Sequence, residues 1–447
     1  MRRRVCLERK GLLERLFKLS ERDTTAKREI LAGLTTFMTV SYIIIVNPLI
    51  LSDAGIPRDA ALAATIYAIV FSTLIMALWA NFPIVTGPGM GLNAFFAYSV
   101  VLGQGLSWQT ALGAVFISGI LFFLLTVTGI REKIVEAIPN VLKASIAVGI
   151  GLFVAFIGLK NAELVVLNES TYVGLGNVTA KGPLLALFGL ILAAVLMAKR
   201  IKGALIVSIL VTTAAAMVVG FQATPTGISD VFSIKPPSIA ETFMQMDLKG
   251  AIAYGVFSVV FSFTIVELFD TLATLIGLSK KANLTDENGK IPNINRALTA
   301  DSVGTMASAV FGSTALNTYI ENATGIAEGG RTGLKAFTVA MLFVLTLFFA
   351  PLIQFIPSVA TAPALIIIGS LMLSDIKNVN FDDFTEFVPA FLTIIMMPLT
   401  FSIAEGLAFG FISYTLLKVL TGRRKEVHWM MYFITAAFII NFMMMSH

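Results

Sequence analysis

Four carboxyl side chains stand in stretches otherwise built from apolar residues: Glu267 and Asp270, then Asp301, then Glu321. At the centre of a membrane-crossing helix each would cost roughly 2.5 to 3.5 kcal/mol, so their presence asks for a use. Glu267 and Asp270 are three apart and share one helix face, from which both can look into a single cavity toward Glu321. Carboxyls in such a place accept N–H bonds from a polar ligand. With no lysine or arginine of the same stretches at that depth, they can also exchange protons. The plain alternative is that they only satisfy backbone groups freed by irregular helices. Asn93, which follows a glycine-rich turn, is open in the same way, because asparagine there is often a helix cap.

The elements that must carry these residues are membrane helices. Of 447 residues, 57% are apolar and 13% charged, whereas soluble domains carry roughly 25% charged residues. The first thirty residues hold 15 of the 59 charges, so the rest is poorer still. Apolar runs predict spans near 30–51, 60–80, 84–102, 108–128, 143–159, 183–198 and 203–220, then 250–278, 295–311, 314–327, 334–354, 360–374, 386–400 and 404–420. Each is of the order of the 20 residues that a bilayer core requires. The expected fold is an all-α polytopic membrane protein of fourteen spans. A last apolar run, 429–445, stays unassigned.

With the N-terminus cytoplasmic, alternation places 27 of 32 Lys and Arg inside, leaving Arg58, Lys160, Lys181, Lys235 and Lys249 outside. Inside anchors include Arg131 with Lys133, Lys199-Arg200, Lys280-Lys281, Arg331 with Lys335, and Arg423-Arg424-Lys425. The expected place is the cell membrane, multi-pass. Basic residues beside apolar spans set topology, which argues against nucleic acid as a partner. One cysteine, Cys6, and two histidines, His428 and His447, supply neither a disulfide framework nor a zinc cluster, and no metal or cofactor is expected. The arginine-rich start runs into an amphipathic stretch, Gly11 to Leu19, rather than a cleavable apolar leader. Asn168-Glu169-Ser170 and Asn177-Val178-Thr179 fit a glycosylation pattern in an outside loop, and that pattern is too common to inform function.

Seven spans per half make the halves inverted repeats if they are related. Ala32-Gly33 opens the first span and Tyr254-Gly255 lies near the start of the eighth. The third span of each half is interrupted. The first reads Pro83-Ile-Val-Thr-Gly-Pro-Gly-Met-Gly91-Leu-Asn93; the second runs from Gly312 through Leu316-Asn317-Thr318 to Gly325, followed by Gly329-Gly330-Arg331-Thr332-Gly333. Broken backbone survives in hydrocarbon only where protein or a wet cavity covers it. Interrupted spans at matching places in two halves point to a transporter's central site.

On these residues the chain resembles the nucleobase-cation symporters of the xanthine/uracil permease superfamily, within them the AzgA-like purine permeases. The resemblance covers nearly the whole chain. It is carried by Thr86-Gly-Pro-Gly-Met-Gly-Leu-Asn93, Glu267-Leu-Phe-Asp270-Thr-Leu-Ala-Thr, Thr299-Ala-Asp301-Ser-Val-Gly-Thr and Glu321-Asn-Ala-Thr-Gly-Ile-Ala-Glu-Gly-Gly-Arg-Thr332. It implies a UraA-like fold of two inverted seven-span repeats. A core domain (30–129 and 250–355) would move against a gate domain (130–220 and 356–421), flanked by a basic N-terminal segment (1–29), an external loop (221–249) and a C-terminal segment (422–447).

It further implies a permease, not an enzyme, that takes up adenine, guanine or hypoxanthine by proton symport through elevator-like alternating access, with sodium coupling left open. Glu267 and Glu321 would hold the purine with Asn93 and Gly91; Asp270 and Asp301 would support proton coupling. A second copy of the chain is a further candidate partner beside the bilayer. Ala315-Leu316-Asn317 departs from the serine- or threonine-rich approach of some relatives. The absence of histidine from the assigned spans argues against a uracil or xanthine site. The rivals are a carrier of another nucleobase or of a small anion, a channel, and an intramembrane hydrolase. An anion site would want a cation, and a hydrolase dyad is not made by two acids on one helix.

Overall fold

The structure is a computed structural model that describes residues 11–253, 257–286 and 291–445, with the backbone alone for 132, 133, 135, 136, 257, 258, 444 and 445. Cys6, His447 and the Tyr254-Gly255 echo lie outside the described residues, as does the side chain of Lys133. Among the described residues, nine helical stretches are long and apolar enough to cross a membrane, from Ala26–Asp53 to Ile403–Leu420. The other five expected spans fall on shorter or more polar elements. These are the helix Met90–Gly103, the helices Ala204–Val218 and Phe384–Thr400, the helix Ile294–Phe311 with Arg296 and Asp301, and a strand-and-helix unit from Leu316 to Ala327. The run after the fourteenth expected span is a helix, Trp429–Met445. It packs on Ile403–Leu420 through Met431 and Phe438, while Trp429, Phe433 and Ile440 stay exposed.

Local chemistry sets several helix starts. The Thr25, Ser107 and Ser402 hydroxyls accept the backbone N–H of Arg28, Thr110 and Glu405 at 3.4, 3.2 and 3.3 Å, each covering a donor that the first helical turn leaves free.

Two sets of helices pack separately. In one, Ile294–Phe311 lies against Trp108–Val127 and Arg58–Ile75, and Gly333–Thr346 against Ala26–Val40 and Arg58–Ile75. In the other, Asn140–Asn161 lies against Ser358–Met372 and Phe384–Thr400, which in turn packs on Ile403–Leu420. Small residues let these helices close on one another: a Cβ on Gly151 would sit 2.7 Å from the Gly369 carbonyl, and one on Gly369 would sit 2.7 Å from the Ala155 Cβ.

The interruptions anticipated from proline and glycine are real, and they meet. Thr86–Pro88 (β1) and Leu316–Thr318 (β4) form a two-stranded antiparallel pair, with Thr86 opposite Thr318, Gly87 opposite Asn317 and Pro88 opposite Leu316. All six residues are buried. Each strand leads into a helix, Met90–Ala94 widening into a π-helical Phe95–Gly103 after β1, and Asn322–Ala327 after β4. A second hairpin, Val165–Asn168 (β2) with Tyr172–Leu175 (β3), is largely exposed and remote from the crossing.

Candidate functional site

The strand pair explains why the motif around Gly87 needs glycine. A Cβ on Gly87 would lie 2.8 Å from the Tyr319 ring, and one on Gly89 would lie 2.9 Å from the Asn317 side-chain amide carbon. The two interrupted segments thus touch through backbone on one side and side chains on the other. Tyr319 completes the seam by donating its hydroxyl to the Pro88 carbonyl at 3.0 Å. The Ser72 and Thr86 hydroxyls bond at 2.5 Å, and Thr73 donates to the Thr86 carbonyl at 3.3 Å. The broken backbone is therefore covered by protein groups, as a low-dielectric interior demands.

The acids gather around β4. Glu267 is fully buried, and its Oε1 accepts the Thr305 hydroxyl at 2.6 Å. The same hydroxyl oxygen takes the Leu316 N–H of β4 at 3.1 Å, so Thr305 couples the acid to the strand. Asp270, one turn further on, accepts the side-chain N–H of Asn317. The shared helix face thus delivers both acids to one strand. Glu321, the residue before the helix Asn322–Ala327, accepts the Tyr42 hydroxyl at 2.8 Å and lies within electrostatic range of Asp270. Asp301 stands one layer back. It accepts the Thr271 hydroxyl at 2.9 Å and interacts electrostatically with Glu267.

Asn93 approaches from the helix after β1. Its amide donates to the Asn47 Oδ1 at 2.9 Å, and Asn47 in turn donates to Thr65 at 2.8 Å and Ser313 at 3.2 Å. Gly91 lies against Ile150, a residue of the other helix set, and leaves no room there for a side chain. Gly91 therefore marks where the two sets meet.

Among the described residues, Glu267 Oε2, Asp301 Oδ1, Asn93 Oδ1 and Asn317 Oδ1 are buried acceptors without a hydrogen-bond partner in the protein. Buried polar atoms in folded proteins are nearly always paired, so unpartnered acceptors on four elements are suited to donors brought by a ligand. A flat heterocycle with N–H groups fits this chemistry. By contrast, the groove of about 560 Å³ lined by Phe409, Ile412, Ser413, Leu416, Ile439 and Phe442 offers only one hydroxyl and has no acid.

Two residues expected as topological anchors are buried within the protein. Arg131 is 2% exposed; it lies 4.1 Å over the Phe122 ring, bonds Thr126 at 3.4 Å, and is within electrostatic range of Asp301 and Glu267. Among the described residues, its Nε and Nη2 have no hydrogen-bond partner. Lys335 is completely buried and bonded to oxygens of both interrupted segments. The picture of four acids without a cation at their depth is corrected accordingly. A positive-inside reading counts charge along the chain and cannot tell a side chain facing water from one folded back under a turn. Tyr42 and Thr305 join the acids without a sequence signal beyond a hydroxyl in a membrane span, whereas Asn317 stands in the interrupted segment itself.

The fold is that of a multi-pass membrane transporter whose two interrupted segments pair with each other. Among solved structures, the chain is similar to the transmembrane domain of the cyanobacterial bicarbonate transporter BicA, with a TM-score of 0.64 at 16% identity, covering 86% of this chain and 97% of that one. It is also similar to SLC26A9, with a TM-score of 0.63 at 12% identity, covering 94% of this chain and 73% of that one. These likenesses establish the UraA-like fold.

The chain belongs to the xanthine/uracil permease family, whose profile, described as a permease family, matches residues 27–409. It is 50% identical to a permease of Methanocaldococcus jannaschii over 97% of this chain and 99% of that protein. It is 43% identical to the adenine permease AdeQ of Escherichia coli over 98% of this chain and 97% of that protein. It is 45% identical to the guanine/hypoxanthine permease PbuO of Bacillus subtilis over 92% of this chain and 96% of that protein.

Proposed function

We propose that this permease takes up a purine nucleobase, namely adenine, guanine or hypoxanthine, across the cell membrane by proton symport, with its N-terminus cytoplasmic. The observation that carries the reading is the buried, unpartnered Oε2 of Glu267 beside the β1–β4 crossing. Relatives at 42–45% identity over more than nine-tenths of the chain are named as adenine or guanine/hypoxanthine permeases. BicA and SLC26A9, at 16% and 12% identity, speak for fold alone.

A neutral purine offers N–H donors at its edge and ring nitrogens as acceptors. Glu267 and Glu321 accept the edge N–H groups, Asn93 contributes its carbonyl oxygen, and Gly91, which admits no side chain, lets the helix after β1 close on the other helix set beside the ring. Asp270 and Asp301 support proton coupling: each is tied by one oxygen to a neutral donor, Asn317 or Thr271, so a proton on the carboxyl changes the local charge without breaking the frame. The helix set holding the crossing is the core and the set built on Asn140–Asn161 is the gate, and Gly91 against Ile150 lies on the surface between them. Alternating access moves one set against the other around the bound purine.

The test is uptake of labelled hypoxanthine into cells expressing the chain, competed by a panel of bases, with and without a proton uncoupler. At least one of adenine, guanine and hypoxanthine is expected to compete where uracil does not, and the uncoupler to abolish accumulation. Failure of every purine to compete or accumulate overturns the substrate assignment. Accumulation that persists after the pH gradient and membrane potential collapse overturns proton symport.

A further inference from the structure

Lys335, the third residue of the helix Gly333–Thr346, folds its side chain back under the strand crossing. Its ammonium donates to the Pro83 carbonyl at 2.8 Å, to Asn322 Oδ1 at 2.8 Å and to the Asn322 carbonyl at 3.3 Å. Pro83 precedes β1 in the first repeat, and Asn322 follows Glu321 in the second. Asn322 is also bound to Val85 in both directions, each bond 2.9 Å long. Three N–H donors thus meet three oxygens drawn from the two interrupted segments, with no carboxylate in direct contact among the described residues.

The surrounding glycines are shaped to this side chain. A Cβ on Gly325 would come within 2.7 Å of the Lys335 Cε, and one on Gly330 within 2.9 Å of its Cδ. A counter-charge is Glu29, fully buried, which accepts the N–H groups of Arg331 and Thr332 at 2.8 and 3.3 Å and acts on Lys335 through space. The glycine-rich turn after the tenth span therefore encloses the Lys335 side chain against three oxygens.

We propose that Lys335 is a tethered cation occupying, at the junction of the two interrupted segments, an oxygen cage of the kind that holds a mobile alkali ion in cation-coupled carriers, so that transport by this chain does not require bound sodium. Unwound carbonyls beside broken helices are the usual ligands of such ions. Here the cation arrives covalently attached and never leaves. Through Asn322 it also fixes the residue next to Glu321, which makes Lys335 a positioning residue for the site. The inference rests on the purine reading and deepens it by deciding which cation the carrier does without.

The experiment uses the full chain reconstituted in proteoliposomes under an imposed pH gradient and membrane potential, with labelled purine outside. Wild-type initial rates are expected to agree within about twofold when sodium is replaced by choline, a difference too small to reflect loss of a bound ion. Lys335→Ala, which empties the cage, is expected to fall about tenfold or more in choline and to recover about threefold or more with ethylammonium or sodium, the scale set by a charge-assisted hydrogen bond. Lys335→Gln, which keeps the cage filled without charge, is expected to stay slow and unrescued.

A wild-type rate that collapses in choline while uptake proceeds in sodium overturns the inference and leaves the purine reading standing. That measurement needs no variant and so is independent of whether Lys335→Ala folds. Lys335→Ala at wild-type rate in choline, or unrescued by either cation, also overturns it. Absence of purine uptake by the wild type in both buffers overturns the purine reading itself, and this inference with it.

Discussion

Glycine is used in both sets of helices, and the difference between the uses separates chemistry from mechanics. Around the crossing, glycines let polar groups come close to backbone: Gly87 to Tyr319, Gly89 to Asn317, Gly325 and Gly330 to Lys335. In the set built on Asn140–Asn161, glycines let helices approach helices: Gly151 and Gly369 face each other, and a Cβ on Gly158 would lie 2.8 Å from the Ile366 side chain. The first use collects hydrogen-bonding groups that hydrocarbon would otherwise penalise. The second gives close apolar contact, which is what holds helices together where water supplies no driving force. The same residue therefore marks a binding site or a smooth packing surface according to what it is pressed against.

The sharpest way to break this contrast is at the acids. Glu267→Gln or Glu321→Gln keeps size and removes charge; each is expected to lower uptake about 10- to 100-fold, the scale of a buried hydrogen bond to a charged group, with membrane expression unchanged. Wild-type uptake in both variants would show that the crossing is not the binding site. Thr305→Val comes next. It removes the donor to Glu267 and the acceptor for the Leu316 N–H, at about 1–3 kcal/mol, and should raise the purine KM about tenfold while leaving thermal stability closer to wild type than that change implies.

On the mechanical side, Gly369→Ala is expected to cost about 1–3 kcal/mol of stability by forcing a methyl against Ala155, read as a lower midpoint of thermal unfolding in detergent with an unchanged purine KM. A raised KM with unchanged stability would reverse the assignment of the two regions.

The smallest effect is expected at the end of the second set, where the last turn of the helix Ile403–Leu420 meets acids outside the spans. Here Arg423 bonds Asp383 at 2.6 Å and Glu426 at 2.8 Å, and Lys418 bonds Glu426 at 2.7 Å. The Thr385 hydroxyl, aided by Arg423, holds the Asp383 carboxyl below the ordinary carboxylate range; Arg423 and then Lys418 do the same for Glu426. Acids held low stabilise the fold fully above their unfolded-state values and lose that contribution as pH falls through the folded ones. The unfolding midpoint should therefore drop slightly more between about pH 5 and pH 3 in wild type than in Asp383→Asn. Equal acid sensitivity in the two would remove this latch from the account.

Much of this architecture could be read from the chain. The apolar runs located the helices, and proline with glycine at 83–91 and the small and polar residues at 312–325 located both interruptions. Glu267, Asp270 and Glu321 stood out because carboxyls are rare in such surroundings. The burial of Lys335 and Arg131 is not legible for the complementary reason: a basic residue near the end of a span has a common role at the water boundary, and only packing reveals when it turns inward. Thr305 and Tyr42 carried even less signal, since a hydroxyl on a membrane helix usually bonds its own backbone, as Thr126 does to Phe122 at 2.8 Å.

Composition and the spacing of breakers by themselves determined that this chain lives in a bilayer, where its helices run, which two spans are broken and which carboxyls are out of place. Hydrophobicity and backbone conformation are local properties, written residue by residue. Tertiary structure alone decided that β1 lies antiparallel to β4, that Thr305 ties Glu267 to that strand, and that a lysine from the following helix joins the two halves. Those facts depend on which distant segments meet, through partners 38, 231 and 252 residues apart in the chain. No local pattern encodes such distances.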